Sequence, residues 1–177
     1  TEVYVGDKAH GGIYKPPKIL KDVEDLMNQF IAWINSEKIL KISPIIRAAL
    51  AHYHLCLIHP FADGNGRAAR LLEAIMLKSS GMTYALKELS SYYYRNIDDY
   101  YIAFSKSIEL KKENDICPFL EFMLKGTIDS LRQIKTKVVE FIRFLALKDY
   151  LQFLHNKKDI TKRQYSFLLL LLDQPNV

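Results

Sequence analysis

His59-Pro60-Phe61-Ala62-Asp63-Gly64-Asn65-Gly66-Arg67-Ala68-Ala69-Arg70 is the stretch on which the reading of this 177-residue chain turns. Twelve residues hold an imidazole, a carboxylate, two glycines and two guanidinium groups. Imidazole titrates close to neutral pH, so His59 suits a general base. Gly64-Asn65-Gly66 frees the backbone to turn and aim its amides at an anion. The run Leu71, Leu72, Ala74, Ile75, Leu77 has helical spacing, so the loop feeds a helix N-terminus, where unpaired amides and the macrodipole favour negative charge. Arg67 and Arg70 lie three apart and share a face of that helix. Asp63, standing before a glycine, suits either an Asx-type turn or Mg²⁺, which needs only one or two carboxylates when phosphate and water complete its shell.

Upstream, Ser43-Pro44 offers a cap and a proline at the first helical position, so a helix is expected from there to Ile58. Pro60 disfavours helical backbone at His59 and ends it. The second helix is expected from about Gly66 to Gly81, a C-terminal cap. Before the pair, Val23, Leu26, Met27, Phe30, Trp33 and Ile34 mark a core-facing helix within Lys18–Ser36. Val3-Tyr4-Val5-Gly6 and Ile13-Tyr14-Lys15 flank Gly11-Gly12 and read as a β-hairpin ended by Pro16-Pro17. Downstream, Tyr84–Leu89 reads as irregular or a short turn, and Asp98–Leu110 as a helix. Asp115 is expected to cap one long helix or two over Ile116–Asn156, with Gly126 as the weak point. Thr161-Lys162-Arg163-Gln164 has capping-box form and opens a last helix.

The twelve residues match the HPFx(D/E)GNGRxxR signature at every fixed position, and the chain resembles the Fic (filamentation induced by cAMP)/DOC family. Ala48-Ala49-Leu50-Ala51-His52-Tyr53 leads into the motif and Arg70-Leu71-Leu72 follows it as they do there. Tyr92, Asn96, Tyr100 and Tyr101 resemble a later segment with paired tyrosines. The resemblance covers about residues 3 to 125 and implies an all-α, Fic-type helical domain with a small β-hairpin flap beside the active-site loop. It implies AMP transfer from ATP to a Ser, Thr or Tyr hydroxyl of a target protein. His59 is then the base and Asp63 the Mg²⁺ ligand. Phe61, Gly64, Asn65, Gly66, Arg67 and Arg70 bind nucleotide and phosphate, with Arg70 on the γ-phosphate. Tyr100 and Tyr101 line an adenosine pocket, and the Val3, Tyr4, Val5 strand docks the target by strand addition.

Alternatives stay open. A Fic-like branch that phosphorylates its target carries lysine where this chain has Gly66. Removal of AMP needs a regulatory glutamate, and no full (S/T)xxxE(G/N) inhibitory motif is present: Thr136 to Glu140 has its spacing, but Phe141 follows. A homodimer or an inhibitory partner chain is therefore open. A non-catalytic regulatory protein is the reading from another class. It would touch DNA only through a C-terminal domain beyond this segment, for which residues 157–177 form the start of a winged-helix or accessory piece and 1–156 the Fic domain. Thr1 in place of Met and the end soon after Phe167–Leu172 read as a piece of a longer protein.

Composition narrows the rest. No apolar run is long enough to span a bilayer, so no membrane role is expected. Cys56 and Cys117 make no disulfide framework, which together with the absence of a visible signal peptide suits a cytoplasmic setting. The net charge of +5 fits solubility better than a dedicated polyanion site. His52 and Cys56 lie four apart, but with no further ligand beside them zinc is not expected. His10, His52, His54 and His155 read as structural.

Overall fold

A computed structural model describes Ala9 and residues 14–83, 85–109 and 115–172. Among them the chain forms eight helices: α1 (Leu20–Ile34), α2 (Glu37–Leu40), α3 (Pro44–Ile58), α4 (Asn65–Ser79), α5 (Ala85–Arg95), α6 (Ile97–Glu109), α7 (Cys117–Asn156) and α8 (Lys162–Leu172). The all-α expectation holds. The Val3–Val5 strand of the hairpin lies outside the described residues. By contact density the chain divides into two compact units, residues 1–131 and 132–177.

The first unit is built on the antiparallel pair α3 and α4. Helix α3 begins with Pro44 at its first position, as its sequence predicts. It is buried almost throughout its second half, with Ala48, Ala49, Ala51, His52 and Tyr53 at 1% exposure or less. Alanines on three sides let other helices approach closely. Helix α1 buries Phe30 against Ala51 and Ile58, flanked by Val23, Leu26, Met27, Trp33 and Ile34, the stripe read from its spacing. On the other side Tyr53, Leu77, Leu89, Tyr93, Phe104, Phe119 and Met123 form the main core. Burying a large apolar side chain contributes on the order of 1.5–3 kcal/mol, so this cluster dominates the unit's stability.

Helix ends follow local chemistry. Gly81 ends α4 in the left-handed region at φ 89°, with the Met82 amide bonded to the Leu77 carbonyl and that of Gly81 to Lys78. At the start of α7 the Asp115 carboxylate accepts the Cys117 amide at 2.8 Å, and the Ser107 hydroxyl accepts the Phe119 amide at 3.0 Å. Two otherwise orphaned donors are thereby satisfied.

Two expectations change. Residues from Ala85 onward are helical, not irregular, because Leu89 and Tyr93 bury one face of α5 and that outweighs the weak helix preference of Ser90, Ser91 and the tyrosines. Gly126 is not a break in α7, which runs unbroken through it. A Cβ there would sit 2.5 Å from Cδ1 of Tyr92, so the glycine is a notch for that ring.

The second unit holds the later part of α7 and α8. Thr161 and Gln164 form the capping box, with the Thr161 amide donating to Gln164 Oε1 at 2.8 Å and the Gln164 amide to Thr161 Oγ1 at 3.3 Å. His155 stacks on Tyr165 at 5.0 Å, and the Tyr165 hydroxyl donates to Gln152 at 2.6 Å. Residues 1–131 carry as many basic as acidic side chains, so the net charge of +5 falls on residues 132–177.

Candidate functional site at the loop between helices three and four

His59 ends α3. Its amide still bonds the Leu55 carbonyl at 3.0 Å, but its backbone turns left-handed, with φ 54° and ψ 56°. Pro60 disfavours the right-handed helical region there, and the chain reverses through a conformation that non-glycine residues adopt at a cost of about 1–3 kcal/mol. The ring folds back so that Nδ1 lies 3.3 Å from the Cys56 carbonyl. A carbonyl only accepts, so this contact places a proton on Nδ1, and in the neutral ring the lone pair is then on Nε2. That is the tautomer a general base requires. His59 is half-buried and lines a hollow of about 300 Å³ with Pro16, Pro17, Val23, Pro60 and Phe61. The segment at Tyr14 is anchored beside it, because the Tyr14 hydroxyl donates to the Leu57 carbonyl at 3.0 Å, a group at the helix end with no partner in the next turn.

The loop is clasped from within. The Asn65 carboxamide is buried at 4% exposure; its Oδ1 accepts the Phe61 amide at 2.9 Å and its Nδ2 donates to the Phe61 carbonyl at 2.7 Å. The side chain is therefore spent on loop shape, and only its main-chain amide faces the helix mouth. Phe61 itself is 52% exposed. Gly64 sits at φ 85°, a turn that any side chain would strain, and it leads directly into α4 without a capping side chain. The amides of Asn65, Gly66 and Arg67 thus open the helix with no preceding carbonyl to receive them.

The charged groups gather at this mouth. Asp63 is well exposed; its Oδ1 accepts the Gly64 amide at 2.6 Å and its Oδ2 accepts Arg67 Nη2 at 3.0 Å. Arg70 lies over the first turn, with Nη1 3.4 Å from where a Cβ on Gly66 would stand. It also lines a narrow cleft with Glu73 and Tyr93. The two tyrosines expected beside the adenosine separate. Tyr100 is buried at 7% exposure between Tyr93, Phe104, Phe119 and Phe122, while Tyr101 stands edge-on to it and only partly buried.

Sequence reasoning missed what lies beneath the loop. His52 Nδ1 meets Glu73 Oε2 at 2.7 Å, with both side chains within 2% of full burial. The Tyr93 hydroxyl donates to Glu73 at 3.0 Å, Tyr100 Oη lies 3.3 Å from His52 Nε2, and Cys56 Sγ lies 3.6 Å from the same hydroxyl. Burial alone would lower the His52 imidazole, but the Cys56 sulfur and the Glu73 carboxylate outweigh it and hold it at about 9. Burial and then Glu73 push the Tyr93 hydroxyl well above its ordinary value. The available signal was Glu73 itself, a charged residue inside the apolar run of α4.

An all-helical unit folded around an HPFxDGNGRxxR loop defines a recognisable class of domain. The Fic/DOC family profile matches residues 3–77. The chain is 33% identical over 133 residues to the protein adenylyltransferase fic-1 of Caenorhabditis elegans, covering 75% of this chain and 23% of the relative. It is 38% identical over 133 residues to the protein adenylyltransferase Fic of Drosophila grimshawi, covering 74% and 24%. Among solved structures it resembles a Fic family protein from Desulfovibrio desulfuricans, with a TM-score of 0.61 and 27% identity over 71% of this chain and 36% of that one. A fragment of C. elegans Fic-1 gives a TM-score of 0.53 and 29% identity, covering 78% and 36%. The chain belongs to the Fic/DOC family. It spans about a quarter of the length of the curated relatives it matches. Among the described residues no helix is long and apolar enough to cross a membrane.

Proposed function

We propose that this chain is the catalytic part of a protein adenylyltransferase, moving AMP from ATP to a hydroxyl side chain of a target protein. The observation that carries it is the contact of His59 Nδ1 with the Cys56 carbonyl, which leaves Nε2 as the nitrogen available for a proton, on a residue that lines a hollow next to the loop leading into α4. The names of the relatives support the same reaction.

His59 Nε2 takes the proton of the target hydroxyl as its oxygen bonds the α-phosphorus. The bond from that phosphorus to the bridging oxygen breaks, and pyrophosphate departs with the electron pair. The amides of Asn65, Gly66 and Arg67 and the guanidinium of Arg70 hold the phosphates and stabilise the charge that builds on the leaving group. Position and electrostatics do most of the work in such a transfer. Asp63 fits Mg²⁺, because its carboxylate is exposed at the same mouth and pairs there with Arg67, itself an exposed side chain. Among the described residues no three His, Cys, Asp or Glu side chains cluster, so one carboxylate with phosphate and water would make the shell. Bound there, Mg²⁺ would neutralise phosphate charge. Tyr101, the more accessible of the tyrosine pair, is assigned to the adenosine side, and residues 3–5 to target docking. We assign residues 1–156 to this domain and 157–177 to the start of an accessory segment.

The test is label transfer by the full chain from ATP labelled at the α or the γ position, with Mg²⁺. The α label should move, the γ label should not, and His59→Ala should abolish transfer while ATP binding persists. Transfer of γ label would make the enzyme a kinase, and an unimpaired His59→Ala variant would remove His59 from the mechanism.

A further inference from the structure

We propose that the buried His52–Glu73 pair is a positioning element of the active site, held as imidazolium and carboxylate, that fixes the helix ending in His59 against the helix carrying Arg70. The kinetic part of this rests on the adenylyltransferase reading above; the structural part does not.

Three observations converge. His52 lies on α3, seven residues before His59, and Glu73 lies on α4, three residues after Arg70. A 2.7 Å contact between them joins the two helices directly beneath the loop. Second, the Glu73 carboxylate has His52 Nδ1 on one oxygen and the Tyr93 hydroxyl on both. In the ionised arrangement both groups donate to the carboxylate, and the proton of the 2.7 Å contact then sits on His52 Nδ1. A carboxylate at 2% exposure needs a compensating charge, and His52 is the basic group that bonds it.

Third, the far end of the network adapts to the charge. Tyr100 Oη stands between His52 Nε2 and Cys56 Sγ. When His52 is imidazolium, Nε2 donates to the tyrosine oxygen, whose own proton turns to the sulfur. When His52 is neutral, the tyrosine donates to Nε2 and the thiol donates to the tyrosine. The groups facing His52 are Cys56 from its own helix, Glu73 from α4, Tyr93 from α5, Tyr100 from α6 and the uncharged ring of Phe119 from α7. Arg70 lines the cleft beside Glu73 and Tyr93, so the network touches the phosphate-binding helix about two turns below its mouth.

The experiment is a titration of the full chain labelled with ¹⁵N-histidine, followed by Glu73→Gln. In the wild type both His52 ring nitrogens should carry protons from pH 6 to 8. In Glu73→Gln the ring should be neutral over that range, and the His59 ring signals should move although His59 itself is unchanged. AMP transfer should lose roughly 10- to 100-fold in kcat, with the KM for ATP changed much less, as expected for lost alignment. Should Glu73→Gln not fold, the wild-type titration decides: His59 signals must show a second inflection at the midpoint where His52 loses its proton. A neutral His52 in the wild type overturns the charged pair. An unmoved His59 ring and an unchanged kcat, with His52 discharged, overturn the positioning role. Absence of transfer in the wild type would refute the adenylyltransferase reading, while the ring titration still decides this one.

Discussion

Replacing Asn65 separates loop shape from loop chemistry. Its carboxamide makes two hydrogen bonds to one residue, the Phe61 amide and carbonyl, at 2.9 and 2.7 Å. Asn65→Ala deletes both. A typical hydrogen bond contributes about 0.5–1.5 kcal/mol, and a buried group left without a partner costs about 1–3 kcal/mol. Phe61 is half-exposed, so water reaches its freed groups and the lower figures apply. The expected loss in urea unfolding is ~1–3 kcal/mol, which a domain of this size survives. Asn65→Asp keeps the shape and the acceptor but turns Nδ2 into an oxygen facing the Phe61 carbonyl, so it should destabilise more than alanine does. Both variants release the turn that aims the amides of residues 65–67, and AMP transfer should fall by roughly 100-fold in each. Calorimetric ATP binding with Mg²⁺ and label transfer are the measurements. If Asn65→Ala binds and transfers within about twofold of wild type, the clasp does not set the loop, and the reasoning from its two bonds is wrong.

The two loop glycines should behave differently. Gly64→Ala strains a left-handed turn and should cost ~1–2 kcal/mol in unfolding, whereas Gly66→Ala meets only the mobile end of Arg70 and should leave stability nearly intact while weakening ATP binding. Gly126→Ala drives a methyl to 2.5 Å from Tyr92 and should destabilise by about 1–3 kcal/mol in thermal or urea melts, despite the better helix preference of alanine. Stability should also fall on the alkaline side. The folded-state value of His52, about 9, lies above its unfolded value of 6.5, so its contribution is fully present below pH 6.5 and is lost as pH rises through 9. The amplitude is at most ~3 kcal/mol, read as a drop in unfolding free energy between pH 6 and pH 10 that Glu73→Gln reduces.

Much of this arrangement was legible because its causes are local. Pro44 and Pro60 bracket α3, Gly81 closes α4, and Thr161 with Gln164 opens α8. Each acts through its own backbone chemistry, which any reader of the chain can apply. The α1 stripe was legible because one periodic face meets one core. What stayed hidden depends on partners far along the chain. Helix α5 is fixed by what Leu89 and Tyr93 meet across the core, and nothing in Ser90-Ser91-Tyr92 announces it. Gly126 reads as a breaker until Tyr92 is placed against it. The role of Asn65 was visible in type but not in direction, since its motif position does not tell whether the carboxamide faces ligand or loop. His52 and Glu73 lie 21 residues apart and only the packing of α3 on α4 makes them a pair.

The loop divides its labour between parts that must not move and parts that must. Its shape is held by buried or backbone-determined features: the Asn65 clasp, the left-handed turns at His59 and Gly64, and the Nδ1 contact that fixes the imidazole. Each is costly to break. Its charges are held differently. Asp63 and Arg67 pair in the open, with their side chains 91% and 74% exposed. Such surface pairs contribute only about 0–1 kcal/mol and are screened by salt. A polyphosphate arriving at the mouth of α4 can therefore take Arg67, and a cation can take Asp63, with little lost from the fold. The pair keeps opposite charges close together in the free protein, while the rigid frame around it preserves the geometry into which they separate. On this view, neutralising Arg67 should weaken nucleotide binding far more than it weakens the fold, and loosening Asn65 should do both.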